Sequence, residues 1–258
     1  MNKKIKKIIN MKRKKKIVCL TAYSKNFAEV IDKHVDIILV GDSLGSVLYN
    51  YETTRKVTLE NMIKHSCSVK KGIKKTLMVV DMPYQSYKNK SQALKNAKRI
   101  IRETKCDAVK LEGGSKIAPI VRHLIKNKID VQGHLGILPQ LIRGKFRSKG
   151  KSENEKKQLL KDAKLLQDLG VFSIVLECVK TQTAKLITKL LKIPTIGIGS
   201  SQYCDGQVLV TDDLLGLNET NIRFVKRFTN LRKTINYGVK KFREEVISGK
   251  YPTKKHSY

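Results

Sequence analysis

Six ionisable side chains stand where short apolar runs end. Asp42 follows IILVG, Asp81 follows LMVV, Lys110 and Glu112 close AVKLE, His134 follows DVQG, and Glu177 follows SIVL. A single acid after an apolar run has an ordinary reading as a helix N-cap or a turn residue. The recurrence is harder to dismiss. If the runs are strands pointing one way, these side chains gather at one end. Carboxylates gathered there repel each other unless a cation lies between them. Hard oxygen donors suit Mg²⁺, which takes one or two protein carboxylates and completes its shell with water and substrate oxygens. Lys110 sits two residues before Glu112, so a strand presents both on one face. An inward lysine needs an anionic partner, from protein or substrate. A metal beside a lysine describes a site for a small oxyacid.

The elements that would position these residues alternate along the whole chain. Apolar, β-rich runs cover 16–23, 35–41, 76–81, 106–112, 129–134, 171–177, 193–199 and 207–213. Helical spacing lies between them. Phe27, Val30 and Ile31 mark one helix, and Met62, Ile63 and Val69 another. A third runs through Ala93, Leu94, Ala97, Ile100 and Ile101, with Ser91 as its N-cap. A fourth spans about 115–127. A fifth carries Leu159, Leu160, Ala163, Leu166 and Leu169 to Gly170, a good C-cap, and a sixth covers 181–191. Several runs are apolar at successive positions, as parallel strands buried on both faces require. No Gly-rich dinucleotide fingerprint follows the first run, so an open doubly wound sheet is the weaker reading. Eight strands in β-α alternation predict a closed (β/α)₈ barrel of parallel strands, with active residues at the C-terminal mouth. Ile5, Ile8, Ile9 and Met11 predict a short amphipathic lead-in helix.

The 258 residues suit a single barrel, and no Pro/Gly/Ser-rich linker divides them. Residues 1–258 are therefore expected to form one catalytic domain. Cys19, Cys67, Cys106, Cys178 and Cys204 are odd in number and widely spaced, which argues against a disulfide framework and a structural zinc site. No apolar run reaches the roughly 20 residues of a membrane span. MNKKIKKIINMKRKKK has no apolar signal core, so a cytoplasmic location is expected. The net charge of +32 comes mostly from lysines spread along the chain. Without a nucleic-acid motif or a stacking platform, it reads as a solvated surface, not as a specific nucleic-acid site.

At these same residues the sequence resembles the ketopantoate hydroxymethyltransferase family. The ordered blocks are LTAY (20–23), VGDSLG (40–45), DMPYQSY (81–87), VKLEGG (109–114), GHLGILPQ (133–140), LEC (176–178), IPTIGIGS (193–200), DGQVLV (205–210), RFVKRF (223–228) and YPTKKHSY (251–258). They span almost the whole chain. The family belongs to a barrel superfamily with phosphoenolpyruvate mutase and isocitrate lyase. The resemblance implies transfer of a hydroxymethyl group from 5,10-methylenetetrahydrofolate to 3-methyl-2-oxobutanoate, giving 2-dehydropantoate and tetrahydrofolate in pantothenate and coenzyme A synthesis. It implies that Asp42 and Asp81 bind Mg²⁺ and meet the substrate through it, with Glu112 holding the metal directly or through water. Ser43 would bind the ketoacid carboxylate, Lys110 would donate to the same substrate, and Glu177 would be the base. His134 is either a hydrogen-bonded mouth histidine or a substrate-positioning group. Family members form large homo-oligomers, typically decamers.

The sequence departs from the family pattern in places. Ser24 follows TAY where an acid is usual. Ser148 and Lys149 replace Val-Gln in the loop RGKFRSKGK (143–151), and Ser201 replaces a Gly after GIGS. These changes bear on loop order and folate contacts. A phosphoenolpyruvate-mutase-like or oxyacid lyase on the same Mg²⁺ barrel is the alternative. Those relatives often carry a catalytic Cys in a Lys-Cys-Gly-His-like run, which this chain lacks.

Overall fold

Eight short parallel strands close on themselves in the computed structural model, which describes residues 2–142, 147–219 and 221–258. They are β1 (Ile17–Thr21), β2 (Ile37–Val40), β3 (Leu77–Asp81), β4 (Ala108–Glu112), β5 (Val131–Gly136), β6 (Ser173–Glu177), β7 (Thr195–Ile198) and β8 (Gly206–Leu209). They lie in sequence order, and β8 pairs with β1 to seal the ring. The expected (β/α)₈ barrel is what forms. The chain divides into two compact units, Met1–Val210 and Thr211–Tyr258, and the first contains every strand.

Around the strands run α2 (Lys25–Ile31), α3 (Leu44–Tyr49), α4 (Leu59–Gly72), α5 (Lys90–Thr104), α6 (Ala118–Lys126), α7 (Glu153–Leu169) and α8 (Thr181–Leu190). Their starts and stops follow local chemistry. Thr58 and Asn61 form a reciprocal capping box on α4. Gly170 ends α7 at φ +99°, a conformation that disfavours a Cβ.

Strand alternation decides which side chains enter the barrel. Along β3, Leu77 and Val79 join the inner core, while Met78 and Val80 join the layer beneath the helices. Along β4, Ala108 is inner and Val109 and Leu111 are outer. A period of two then turns Asp81, Lys110 and Glu112 inward at the last positions of their strands. Apolar inner residues fill the lower barrel, and the charged ones fall at the top.

The lead-in helix α1 (Lys3–Asn10) forms as expected. Ile5, Ile8 and Met11 pack into the same cluster as Ile17, Leu77 and Ala108. Burying Ile8 completely stabilises the fold by roughly 1.5–3 kcal/mol. Polar ties add to this packing. Asn2 Nδ2 donates to Asp107 Oδ1 (2.6 Å), and Lys4 Nζ donates to the carbonyl of Thr76 (2.8 Å).

Three details differ from the sequence expectation. The N-cap of α5 is Asn89, whose side chain accepts from Gln92 N; Ser91 lies inside the first turn. Both residue types cap well, so type alone does not choose between them. The last strand stops at Leu209, and Thr211–Leu214 forms a helical turn (α9). Asp212 and Asp213 are poor strand residues but favourable at a helix N-terminus. In α2 the inward positions are Ala28 and Ile31, and Val30 is exposed.

The second unit contains α9 and α10 (Leu231–Ile247). Asn230 caps α10 by accepting from Lys233 N, and Leu231 N donates to Leu215 O. No residue of α10 is buried, and Ile235, Tyr237, Val239 and Phe242 are among its exposed apolar side chains.

Candidate active site

The register of neighbouring strands places the polar residues side by side. Asp81 is level with Lys110, Glu112 with His134, and Gly136 with Glu177. Asp42 comes two residues beyond β2, and its backbone N–H donates to Asp81 Oδ2 (3.1 Å). Gly136 has φ +99°, and a Cβ there would stand 2.2 Å from the carbonyl oxygen of Glu177. A side chain at that position would drive β5 and β6 apart just where Glu177 leaves the sheet.

The mouth is a buried array. Asp42, Asp81, Lys110, Glu112 and His134 are all buried; Ser43 and Glu177 are half-buried. Lys110 Nζ lies 2.8 Å from Asp81 Oδ1 and 3.3 Å from His134 Nδ1. His134 Nδ1 is 3.6 Å from Glu112 Oε1, and its Nε2 is 3.2 Å from Glu177 Oε2 without a well-aligned hydrogen bond. Lys110 can only donate, so Nδ1 is the acceptor and the ring proton sits on Nε2, facing Glu177. The Ser43 and Tyr23 hydroxyls are 2.8 Å apart. The structure thus gathers all seven sequence-predicted residues around the C-terminal end of one barrel.

Burial and crowding shift their protonation. The Asp42 carboxyl is pushed up to about 7, first by burial and then by the charge of Asp81; Lys110 and the Gln140 amide pull it back. Glu112 is raised well above the carboxylate range by burial and by Asp42. Burial alone would lower Lys110, but Asp81, Glu112 and Asp42 outweigh it and keep the ammonium charged. Burial and Lys110 both lower His134, which is therefore neutral near pH 7.

Gln140 carries much of the order and was assigned no role from sequence. Its Nε2 donates to Asp42 Oδ2 (2.8 Å) and to the Met82 carbonyl (3.0 Å). Its backbone N–H donates to Glu112 Oε2 (3.1 Å), and Tyr87 OH donates to its Oε1 (2.5 Å). Arg55 Nε donates to its carbonyl (2.9 Å). One buried residue thereby fixes two of the three acids, Asp42 through its side-chain amide and Glu112 through its backbone N–H. The available signal was a glutamine closing GHLGILPQ, a block otherwise read for its histidine.

The departures from the family pattern lie around this array. Ser24 is the N-cap of α2 but makes no side-chain capping bond. Lys149 pairs through its backbone with Cys178 and Lys180, beside Glu177. Ser201 is buried, and its Oγ accepts from Tyr203 N. The remainder of the 143–151 loop, at 143–146, lies outside the described residues.

The donor chemistry fits a hard divalent cation. Asp42, Asp81 and Glu112 offer only oxygen, and Lys110 is the cation set against them. Asp81 Oδ1 is buried without a well-aligned hydrogen bond. Among the described residues no three His, Cys, Asp or Glu side chains converge closely enough to hold a metal ion by themselves. Mg²⁺ usually takes only one or two protein carboxylates and fills its other positions with water and substrate oxygens.

Comparison with known proteins gives a consistent answer. The family model for ketopantoate hydroxymethyltransferase matches residues 2–254. A 3-methyl-2-oxobutanoate hydroxymethyltransferase of Pelagibacter ubique is 62% identical over 258 residues, covering 100% of both chains. The protein of the same name from Rhizobium etli is 47% identical over 256 residues, covering 98% of this chain and 94% of its own. Among solved structures, a 2,3-dimethylmalate lyase of the phosphoenolpyruvate mutase/isocitrate lyase superfamily aligns with a TM-score of 0.63 at 11% identity, covering 100% of this chain and 89% of its own. A phosphonopyruvate hydrolase complexed with oxalate and Mg²⁺ gives 0.61 at 8%, covering 98% and 93%. At such identities these structures speak to the fold alone. The match along nearly the whole sequence goes further: the chain belongs to the ketopantoate hydroxymethyltransferase family and is an enzyme.

Proposed function

We propose that this chain moves a one-carbon unit from 5,10-methylenetetrahydrofolate to 3-methyl-2-oxobutanoate as a hydroxymethyl group, consuming one water and yielding 2-dehydropantoate and tetrahydrofolate, as a step toward pantothenate and coenzyme A. The observation that carries the reading is the buried mouth of Asp42, Asp81, Glu112 and Lys110, with half-buried Glu177 beside it. Asp42 and Asp81 would hold Mg²⁺, with Glu112 reaching it directly or through water. Bound there, Mg²⁺ supplies Lewis-acid polarisation of the 2-oxo group.

The chain's own residues supply the rest. Ser43, paired with Tyr23, receives the ketoacid carboxylate, and Lys110 keeps its proton to donate to the same substrate. Glu177 takes the proton from C3, leaving a nucleophilic carbon for the folate methylene. His134 is neutral, so it puts no opposing charge beside Glu177 while it positions the substrate side of the mouth. Residues 1–258 are proposed to act as one catalytic chain, in the cytoplasm, as a homo-oligomer of the family's decameric kind. No helix among the described residues is long and apolar enough to cross a membrane.

The test is an assay with both substrates, following 2-dehydropantoate by NMR. Product should form with Mg²⁺, stop with excess EDTA, and resume when Mg²⁺ is restored. Formation of product without folate, or indifference to EDTA, contradicts the reading.

A further inference from the structure

The opposite end of the barrel carries a second concavity. It has a volume of about 330 Å³ and is lined by Arg13, Lys14, Lys15, Lys16, Lys185, Thr188, Lys189, Tyr203 and Asp205. Arg13 to Lys16 lead into β1, Lys185 to Lys189 lie on the last turns of α8, and Tyr203 and Asp205 precede β8. Ile17 and Gly206 are level in the β1–β8 pair, so the hollow lies at the N-terminal ends of the strands, away from the catalytic mouth.

Its charge is unbalanced by construction. Asp205 is the only acid in the lining, and its charge is already engaged. It pairs with half-buried Lys12 (2.6 Å) and accepts from Thr195 N (2.9 Å) and Thr195 Oγ1 (3.1 Å). Asp205 also accepts from the Arg13 backbone N–H (3.4 Å), but among the described residues none of the six lining cations has a carboxylate within 4.0 Å of its charged group. Several are nonetheless held in place. The Arg13 guanidinium donates to the Lys189 carbonyl (2.5 Å). Lys16 Nζ donates to the carbonyls of Gln202 (2.9 Å) and Cys204 (2.5 Å). Lys185 Nζ stands 4.2 Å above the Tyr203 ring. Neutral acceptors orient a cation without cancelling its charge, so the positive field stays available to an outside anion. Arg13 also holds φ +59°, an unfavourable conformation for a residue with a Cβ, at the hollow's wall.

We propose that this hollow is a binding site for a phosphate-rich anion, of the polyphosphate-chain class, distinct from the catalytic mouth. Fixed arginine and lysine donors around a concavity suit several phosphate oxygens at once. The inference does not depend on the reading of the mouth.

Isothermal titration of the full chain with inorganic tripolyphosphate, at about 0.15 M salt, tests it. The control is the other basic hollow, around Lys90, Lys95 and Lys98. One tripolyphosphate should bind per chain. Lys185→Ala/Lys189→Ala should weaken it by roughly tenfold or more, the loss expected for charged hydrogen bonds. Lys95→Ala/Lys98→Ala should leave the affinity unchanged, and a thermal melt of each variant checks that folding is intact. No binding at that salt, many weak sites, or equal loss in both variants overturns the proposal.

Discussion

Glu177 is the residue on which the proposed chemistry turns. It is the half-buried acid of the mouth, on β6, facing Nε2 of a neutral histidine. Glu177→Gln keeps the shape and removes the proton acceptor. Deuterium exchange at C3 of the ketoacid, followed by NMR without folate, should slow by roughly 10²–10⁴-fold. Exchange at the parent rate would move the base elsewhere. Gln140 makes a separate prediction. Gln140→Ala frees Asp42 Oδ2 and strands the Tyr87 hydroxyl. Mg²⁺ affinity measured by calorimetry should fall roughly 10–100-fold, as for other outer partners of metal ligands. Unchanged affinity would show that Asp42 needs no such support. The contrast between these two residues explains what could be read from sequence. Glu177, Asp81, Lys110 and Glu112 stand at the ends of recognisable strands, so topology alone brings them together. Gln140 sits in a loop, carries no charge, and acts only because the chain after β5 folds back over β4. Nothing in its type or spacing records that return.

At the scale of elements, the strands were legible because parallel strands covered on both faces need apolar residues at successive positions, as Ile37–Val40 shows. Boundaries were less so, because they depend on partners. Asn89 and Ser91 are equivalent until the first turn is built, and QVLV leads directly into Thr211 and the two acids of α9. The link from α2 to β3 offers a test of such boundary chemistry. Asp32 accepts from the backbone N–H groups of Lys74 (3.2 Å), Lys75 (3.4 Å) and Thr76 (3.0 Å). Burial would raise its carboxyl, but the Thr76 hydroxyl and these backbone bonds outweigh burial and hold it below the usual range. A depressed acid contributes stability above its unfolded pKa and loses it as pH falls through the folded value. Asp32→Ala should therefore cost about 1–3 kcal/mol near pH 7. The gap between variant and parent should narrow in acid below about pH 4. A gap independent of pH in thermal melts would mean that the charge is not what matters.

At the scale of the whole molecule, the charge of +32 and the catalytic mouth are separate matters. The mouth is rich in acids and would repel a phosphate backbone, while the lysines lie mostly on the outside. Binding to duplex DNA should be weak, indifferent to sequence, and steeply reduced between low and physiological salt. A gel shift that survives physiological salt and prefers one sequence would contradict this. The central claim is that one barrel mouth uses a divalent ion and its own base to activate the carbon beside a ketone. The most direct measurement is C3 deuterium exchange of 3-methyl-2-oxobutanoate by the unaltered chain, without folate, in Mg²⁺ and then in excess EDTA. Catalysed exchange that EDTA abolishes and Mg²⁺ restores is the expected result. Exchange no faster than in buffer, or exchange that persists undiminished in EDTA, would contradict it.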